Sequence, residues 1–173
     1  FRPVTLHLHG AVQIEKPFVQ TKVNLETLKE ADLTVSAELT NYSNMVISGD
    51  LVGTIGDMVF RKKISLAPNN KELITFDSKE FVGLNIKEPK LWWPINLGNP
   101  DLYDLDIKFI AKEEVLDATQ LRFGIRDIQD YWLNDIHRGY KVNGQKVLIK
   151  GGGWTDDMLL MDTDDSIEAQ VKY

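Results

Sequence analysis

The chain has 173 residues, the size of one domain or of one domain carrying a piece of a second. Its 20 Lys and Arg stand against 26 Asp and Glu, a formal charge of −6 that disfavours nucleic acid or an anionic membrane as partner. Hydrophobic residues at 43% and charged ones at 27% are ordinary globular usage, and the lack of cysteine removes disulfides, thiolate metal sites and thiol nucleophiles while leaving the redox compartment open.

No uncharged apolar stretch approaches the about 20 residues of a membrane span, so neither a span nor a signal peptide is expected. The chain opens at Phe1 without an initiator methionine, directly in a strand-like alternation, and reads as an internal piece of a longer polypeptide. Val4, Leu6 and Leu8 share one face of that alternation and His7 and His9 the other, with Val12 and Ile14 continuing the first register until Pro17 ends or kinks it. Residues 18–25 form a second candidate strand. Leu33, Val35, Ala37 and Leu39 alternate with Thr34, Ser36, Glu38 and Thr40 in a third, one face for a core and one for water.

Residues 45–55 and 58–66 are expected to pair across the turn Gly56-Asp57, and Pro68-Asn69-Asn70 turns the chain into a strand at Leu73, Ile74 and Phe76. After a looser stretch, Tyr103, Leu105, Ile107, Phe109 and Ala111 alternate with acids and Lys108, and a last long strand runs from Val115 to Ile125 beyond a turn at 112–114. Seven short strands in about 100 residues, separated by turn chemistry, predict an all-β, immunoglobulin-like β-sandwich. Residues 127–138 read as a crossing segment containing Trp132, and residues 140–149 as a hairpin turning at Asn143-Gly144. Val147 to Ile149 then reads as a buried strand entering Gly151-Gly152-Gly153. Asp162 to Asp165 with Glu168 resembles a helix start, Asp165 and Glu168 standing at capping-box spacing.

The chemistry-bearing patterns are few. There is no Gly-x-Ser-x-Gly elbow, and His7 and His9 lack a third ligand at zinc spacing, so a surface pair is expected there and no metal or cofactor is implied. The triple glycine is not followed by the Lys-Ser/Thr of a phosphate loop. Trp154 beside Asp156 and Asp157 has the composition of a sugar site, an indole for the C–H face and carboxylates for hydroxyls; packing of Trp154 into a domain interface is the competing reading. Trp92 and Trp93, adjacent in an extended segment, must point to opposite sides, one to a core and the other to a neighbour.

Taken in order, Leu91-Trp92-Trp93-Pro94, Gly98-Asn99-Pro100-Asp101-Leu102-Tyr103, Phe123-Gly124-Ile125-Arg126, Val142-Asn143-Gly144-Gln145 and Ile149-Lys150-Gly151-Gly152-Gly153-Trp154 closely resemble glycoside hydrolase family 2. Arg2-Pro3-Val4 is similar to the last strand of that family's sugar-binding jelly roll. The resemblance implies three parts: residues 1–15 as the end of the preceding sugar-binding domain and a linker, 16–126 as the sandwich, and 127–173 as a linker hairpin with the first strand and helix start of a TIM barrel. The Gly-Gly-Gly-Trp loop followed by Asp156-Asp157-Met158 looks like the branch of exo-β-D-glucosaminidases, endo-β-mannosidases and β-mannosidases, retaining hydrolases of β-linked glucosaminides or mannosides.

Such hydrolysis needs two carboxyl groups about 5 to 5.5 Å apart, which the family carries as glutamates on later barrel strands, one directly after an asparagine. This chain has no Asn-Glu dipeptide and is expected to be inactive alone. The resemblance implies a structural role, orienting sugar-binding and barrel domains of the same polypeptide, with Trp92, Trp93, Arg126 and Trp132 as interface anchors. Trp154, Asp156 and Asp157 would lie at the substrate subsite of the parent, which would be periplasmic or secreted. The rival expectations are a free-standing carbohydrate-binding or adhesion module of immunoglobulin-like fold, and a domain that recognises a protein through a sheet edge.

Overall fold

The structure, a computed structural model, describes residues 4, 6–151, 153 and 163–171. Its first strand, β1 (Val12–Val23), absorbs two expected strands into one. Pro17 cannot donate to a ladder, and the strand answers with a bulge between Glu15 and Phe18 in which Lys16 takes φ 48°, after which pairing resumes. β2 (Glu30–Asn41) pairs antiparallel with β1 on one side. Its alternation follows the pattern over most of its length: Leu33, Val35, Ala37 and Leu39 are buried, while Thr34, Ser36 and Glu38 are half-buried on the outer face; Thr40, expected with the latter, is buried, its hydroxyl donating to Glu15 at 2.7 Å.

β3 (Ile47–Ile55) and β4 (Met58–Leu66) form a hairpin whose turn places Gly56 at φ +55°. β5 (Lys71–Asp77) and the three-residue β6 (Asn85–Lys87) both pair with β2, β7 (Tyr103–Ala111) pairs with β3, and β8 (Glu114–Phe123) pairs with β7. Two antiparallel sheets result, β1-β2-β5 with β6 beside β2, and β4-β3-β7-β8. Their inner faces share one core, in which Phe60 of β4 meets Phe76 of β5 edge-on at 4.9 Å, so the two sheets form a sandwich. Gly53 gives Phe60 its space: a Cβ at that position would lie 2.0 Å from the ring.

Two buried polar side chains tie the sandwich together. Asn41, fully buried at the end of β2, donates from Nδ2 to the carbonyls of Met45 at 2.8 Å and Ala67 at 2.9 Å, while its Oδ1 accepts the Ser43 N–H at 2.9 Å. One amide thereby anchors two of the connections that cross between sheets, from β2 to β3 and from β4 to β5. Asp117 of β8 accepts the Ile14 N–H of β1 at 2.7 Å, and the Gly10 N–H donates to the Leu116 carbonyl at 2.6 Å, so the two sheets also meet along this edge. His7 joins Asp117 through Nε2 at 3.0 Å, and His9 packs on Tyr42 at 5.5 Å, leaving Leu6 and Leu8 exposed on the other face of this segment.

Residues 127–138 contain a strand where a crossing segment was expected: β9 (Ile128–Trp132) pairs along β10 (Arg138–Val142), which pairs with β11 (Gln145–Val147). The polar composition of β9 hid it, because neither of its faces enters the sandwich core. The turn at Asn143-Gly144 is as expected, with φ 49° and 79° at its two central residues. The buried strand expected at Val147 to Ile149 is not observed; β11 ends at Val147, and Leu148 and Ile149 are exposed, since no described residue flanks this edge. α1 (Asp164–Val171) has acids in its first turn, but its capping box differs from the expected pair. Thr163 Oγ1 accepts the Ser166 N–H at 3.2 Å and Ser166 Oγ accepts the Thr163 N–H at 3.0 Å, which makes Thr163 the cap and places Asp165 inside the helix.

Candidate functional site

Three of the four candidate anchors, Trp92, Trp93 and Arg126, lie where the sandwich meets the third sheet. Segment 91–100 lies along the end of β8: Leu91 bridges Ile125, the Trp92 N–H donates to the Ile125 carbonyl at 2.8 Å, and the Trp93 N–H donates to the Asn99 carbonyl at 3.0 Å. The extended backbone sends the two indoles apart, as their adjacency requires. Trp93 packs against the hydrophobic core over Gly98, whose Cβ position lies 2.9 Å from the indole. Trp92 crosses the backbone of Gly124, where a Cβ would lie 2.7 Å from its own, and the Arg126 guanidinium rests on its ring with Cζ 4.4 Å from the centroid.

Thr21 of β1 fixes the backbone of Arg126, its hydroxyl donating to the Arg126 carbonyl at 2.6 Å and accepting the Arg126 N–H at 3.3 Å. Asn143 then locks the third sheet to the sandwich. Its N–H donates to the Asp127 carbonyl at 2.8 Å, its Oδ1 accepts the Asp127 N–H at 2.8 Å, and its Nδ2 donates to the Trp92 carbonyl at 3.1 Å. The residue is 2% exposed, so these three bonds leave it no freedom to swing.

Trp132 is not part of this cluster. It stands at the far end of β9, six residues beyond Arg126, is exposed, and carries the Arg138 guanidinium on its ring at 4.7 Å while Arg138 pairs with Asp130 at 3.0 Å. Trp154, Asp156 and Asp157 lie outside the described residues. Sequence reasoning missed Thr21 and the bonding role of Asn143. A threonine in an alternating strand carries no mark of its distant partner, whereas the Asn-Gly pair announced the turn and concealed the side-chain lock.

Charge is organised on the outer face of the first sheet. Lys71 of β5 reaches Glu15 at 2.9 Å and Glu38 at 3.6 Å, and Lys16 reaches Glu38 at 2.5 Å. The hydrogen bond from Lys71, then that from the Thr40 hydroxyl, holds the Glu15 carboxyl below the usual glutamate range. The Lys16 bond does the same for Glu38, the Asn85 amide for Asp32, and the bond to Glu15 raises Lys71. This ladder is a feature of the sheet surface and includes none of the junction residues. Among the described residues there is no group of three or more metal-ligating side chains and no helix long and apolar enough to cross a membrane.

The profile of the Glycosyl hydrolases family 2 matches residues 12–126. The exo-beta-D-glucosaminidase of Streptomyces avermitilis is 35% identical over 172 residues, which are 99% of this chain and 19% of that protein. The crystal structure of the exo-chitosanase of Amycolatopsis orientalis has the same fold with a TM-score of 0.84 at 31% identity, over 95% of this chain and 19% of that one. Beta-mannosidase B of Aspergillus fumigatus is 29% identical over 102 residues, 57% of this chain and 11% of that protein. The chain thus spans about a fifth of the length of the glucosaminidase it matches.

Proposed function

The chain belongs to glycosyl hydrolase family 2, and we propose that it acts inside a longer polypeptide as a non-catalytic, immunoglobulin-like sandwich that sets the orientation of a sugar-binding domain and a catalytic barrel. The parent is a retaining hydrolase of β-linked glucosaminides or mannosides, the former favoured by the relatives matched over the whole chain. Residues 1–15 would bring the chain from the preceding domain and its linker into the sandwich, the last of them, from Val12, already running as β1. Residues 127–173 form the linker sheet and the entry to a TIM barrel, where Trp154 with Asp156 or Asp157 would contribute to the substrate subsite. A polysaccharide-degrading parent would be secreted or periplasmic.

The observation that carries the reading is the Asn143 lock. A module built to hold its neighbours needs its exit strand fixed to its own body, and Asn143 bonds both Asp127 at the exit and Trp92 on the sandwich. Flexible inter-domain linkers are exposed and crossed by few contacts, whereas here the exit is held by a buried side chain.

The test compares the 173-residue chain with the longer polypeptide that contains it, on chromogenic β-glucosaminide and β-mannoside. Hydrolysis by the longer polypeptide and none by the chain is the expected result. Turnover by the chain itself, or by neither protein on either substrate, would overturn the reading. A saturable tryptophan fluorescence change of the chain with millimolar sugar would instead favour a carbohydrate-binding module.

A further inference from the structure

The described arginines differ in an unexpected way. Arg61 and Arg138 are exposed and lie near carboxylates, Asp50 at 3.9 Å and Asp130 at 3.0 Å, and Arg122 is exposed to water. Arg126 is half-buried, yet among the described residues no carboxylate or carbonyl accepts from its guanidinium, which lies over the face of Trp92. Removing a guanidinium from water without an acceptor is unfavourable, and an indole face offsets only part of that cost.

The surroundings show that this side chain is deliberately placed. Thr21 holds the Arg126 backbone from both its N–H and its carbonyl, Gly124 leaves the space in which Trp92 can lie flat, and Asn143 fixes the Trp92 carbonyl. The backbone on which the guanidinium is mounted is thus fixed, while the guanidinium itself makes no hydrogen bond among the described residues. One residue further on, the Oδ1 atom of Asp127 is buried without a hydrogen-bond partner among the described residues. Two charged groups at the exit of the sandwich are thus left incomplete within this chain.

We infer that Arg126, pre-oriented on Trp92, is the receptor for a carboxylate carried by the catalytic part of the parent polypeptide, and that this ion pair seats the barrel on the sandwich. The inference rests on the orienting role proposed above and names the chemistry of the partner. Charge complementarity selects a carboxylate, since a planar guanidinium stacked on one face still offers its in-plane fork for two parallel bonds. The polypeptide to supply it is available: the matched glucosaminidase has about four-fifths of its length outside the region shared with this chain. Lysine could not replace arginine here, because an ammonium neither stacks as a plane nor donates as a fork.

The experiment labels carboxylates of the longer polypeptide with carbodiimide and glycine ethyl ester and maps them by mass spectrometry in the wild type, Arg126→Ala and Arg126→Lys. One carboxylate outside residues 1–173, protected in the wild type, is expected to gain about tenfold in reactivity in both variants, the change that 1.4 kcal/mol represents. Its amide substitution is then expected to lower the melting temperature of the longer polypeptide, with no further loss when combined with Arg126→Ala. Unchanged labelling outside residues 1–173 overturns the inference, as does an Arg126→Ala melting shift equal in the 173-residue chain and the longer polypeptide, which would mean that Arg126 merely packs on Trp92. These failures differ from failure of the orienting role, in which the longer polypeptide hydrolyses neither glycoside.

Discussion

The carboxylate of Asp117 on β8 accepts the backbone N–H of Ile14 on β1 at 2.7 Å, closing the sandwich where its two sheets meet edge to edge. A side chain substitutes there for a ladder bond, and it also accepts the Ala118 N–H at 2.9 Å and meets His7 Nε2 at 3.0 Å. With its side chain only 2% exposed, Asp117 cannot be replaced by water. Asp117→Ala should therefore strand two backbone donors and cost about 2–4 kcal/mol in urea denaturation. Asp117→Asn keeps one acceptor but turns an amide donor toward the remaining N–H groups, and should fall between the variant and the wild type. Equal stability of all three proteins would show that the closure lies elsewhere.

The ladder of Glu15, Glu38, Lys16 and Lys71 gives the stability a pH dependence with a definite sign. Glu15, Glu38 and Asp32 all lie below their ordinary values of 4.5 for Glu and 3.8 for Asp, so the unfolded state binds protons first as the pH falls. Their stabilising contribution is complete above those values and is lost as the pH drops through the lower folded ones. Lys71 is raised from 10.5, so its contribution is complete below that value and disappears as the pH rises through its folded one. Denaturation midpoints should be level near neutrality and decline on both flanks. Lys71→Met should reduce stability at neutral pH slightly and make the acid decline shallower, since Glu15 then loses the bond that contributes most to its lowered value; an unchanged acid limb would contradict this.

The alternation of β7 and of β2 from Leu33 to Leu39 was legible, because burial on one face of a pleat imposes a period of two, whereas at the start of β8 Val115 is exposed and Asp117 takes a buried place. Pro17 was legible only as a disturbance. Its effect depended on whether β2 continued alongside, and with Ser36 and Glu38 in place the strand bulged instead of ending. β9 was hidden because a strand with no core face carries no alternation. The opposite sides taken by Trp92 and Trp93 followed from adjacency alone, whereas the stacking of Arg126 on Trp92 joins residues 34 apart in sequence and had no local signature. Asp117, Asn41 and Thr21 illustrate the same limit, since each acts through a backbone group more than 20 residues away.

Gly124 matters through space and not through backbone angle. A methyl group there would come within 2.7 to 2.9 Å of the Cβ, Cγ and Cδ1 atoms of Trp92, close to the root of that side chain where little can give. Gly124→Ala should tilt the indole away from Arg126 and cost about 1–3 kcal/mol, as overpacking does elsewhere. The indole N–H resonance of Trp92 is the direct probe, and it should shift in Gly124→Ala and in Arg126→Ala while that of Trp132 stays in place. Coincident wild-type and Gly124→Ala spectra would mean that the indole does not lie against this glycine.

The Asn143 lock separates local from global stability. Asn143 sits at φ 49°, a left-handed conformation that asparagine tolerates and alanine resists, and its side chain bonds Asp127 and Trp92 across the junction. Asn143→Gly keeps the turn and deletes the side-chain bonds, so it isolates the lock; Asn143→Ala disturbs both. In the glycine variant, amide hydrogen exchange should accelerate for residues 127–147 by a factor on the order of 10 to 100, corresponding to about 1.4–2.7 kcal/mol of lost local stability. Amides of β2 and β7, within the sandwich core, should keep their protection. The alanine variant should show the same pattern with a larger factor. Uniform acceleration across the whole chain would mean that the third sheet and the sandwich open as one unit, and that Asn143 stabilises the fold as a whole instead of fixing the angle at which the chain leaves it.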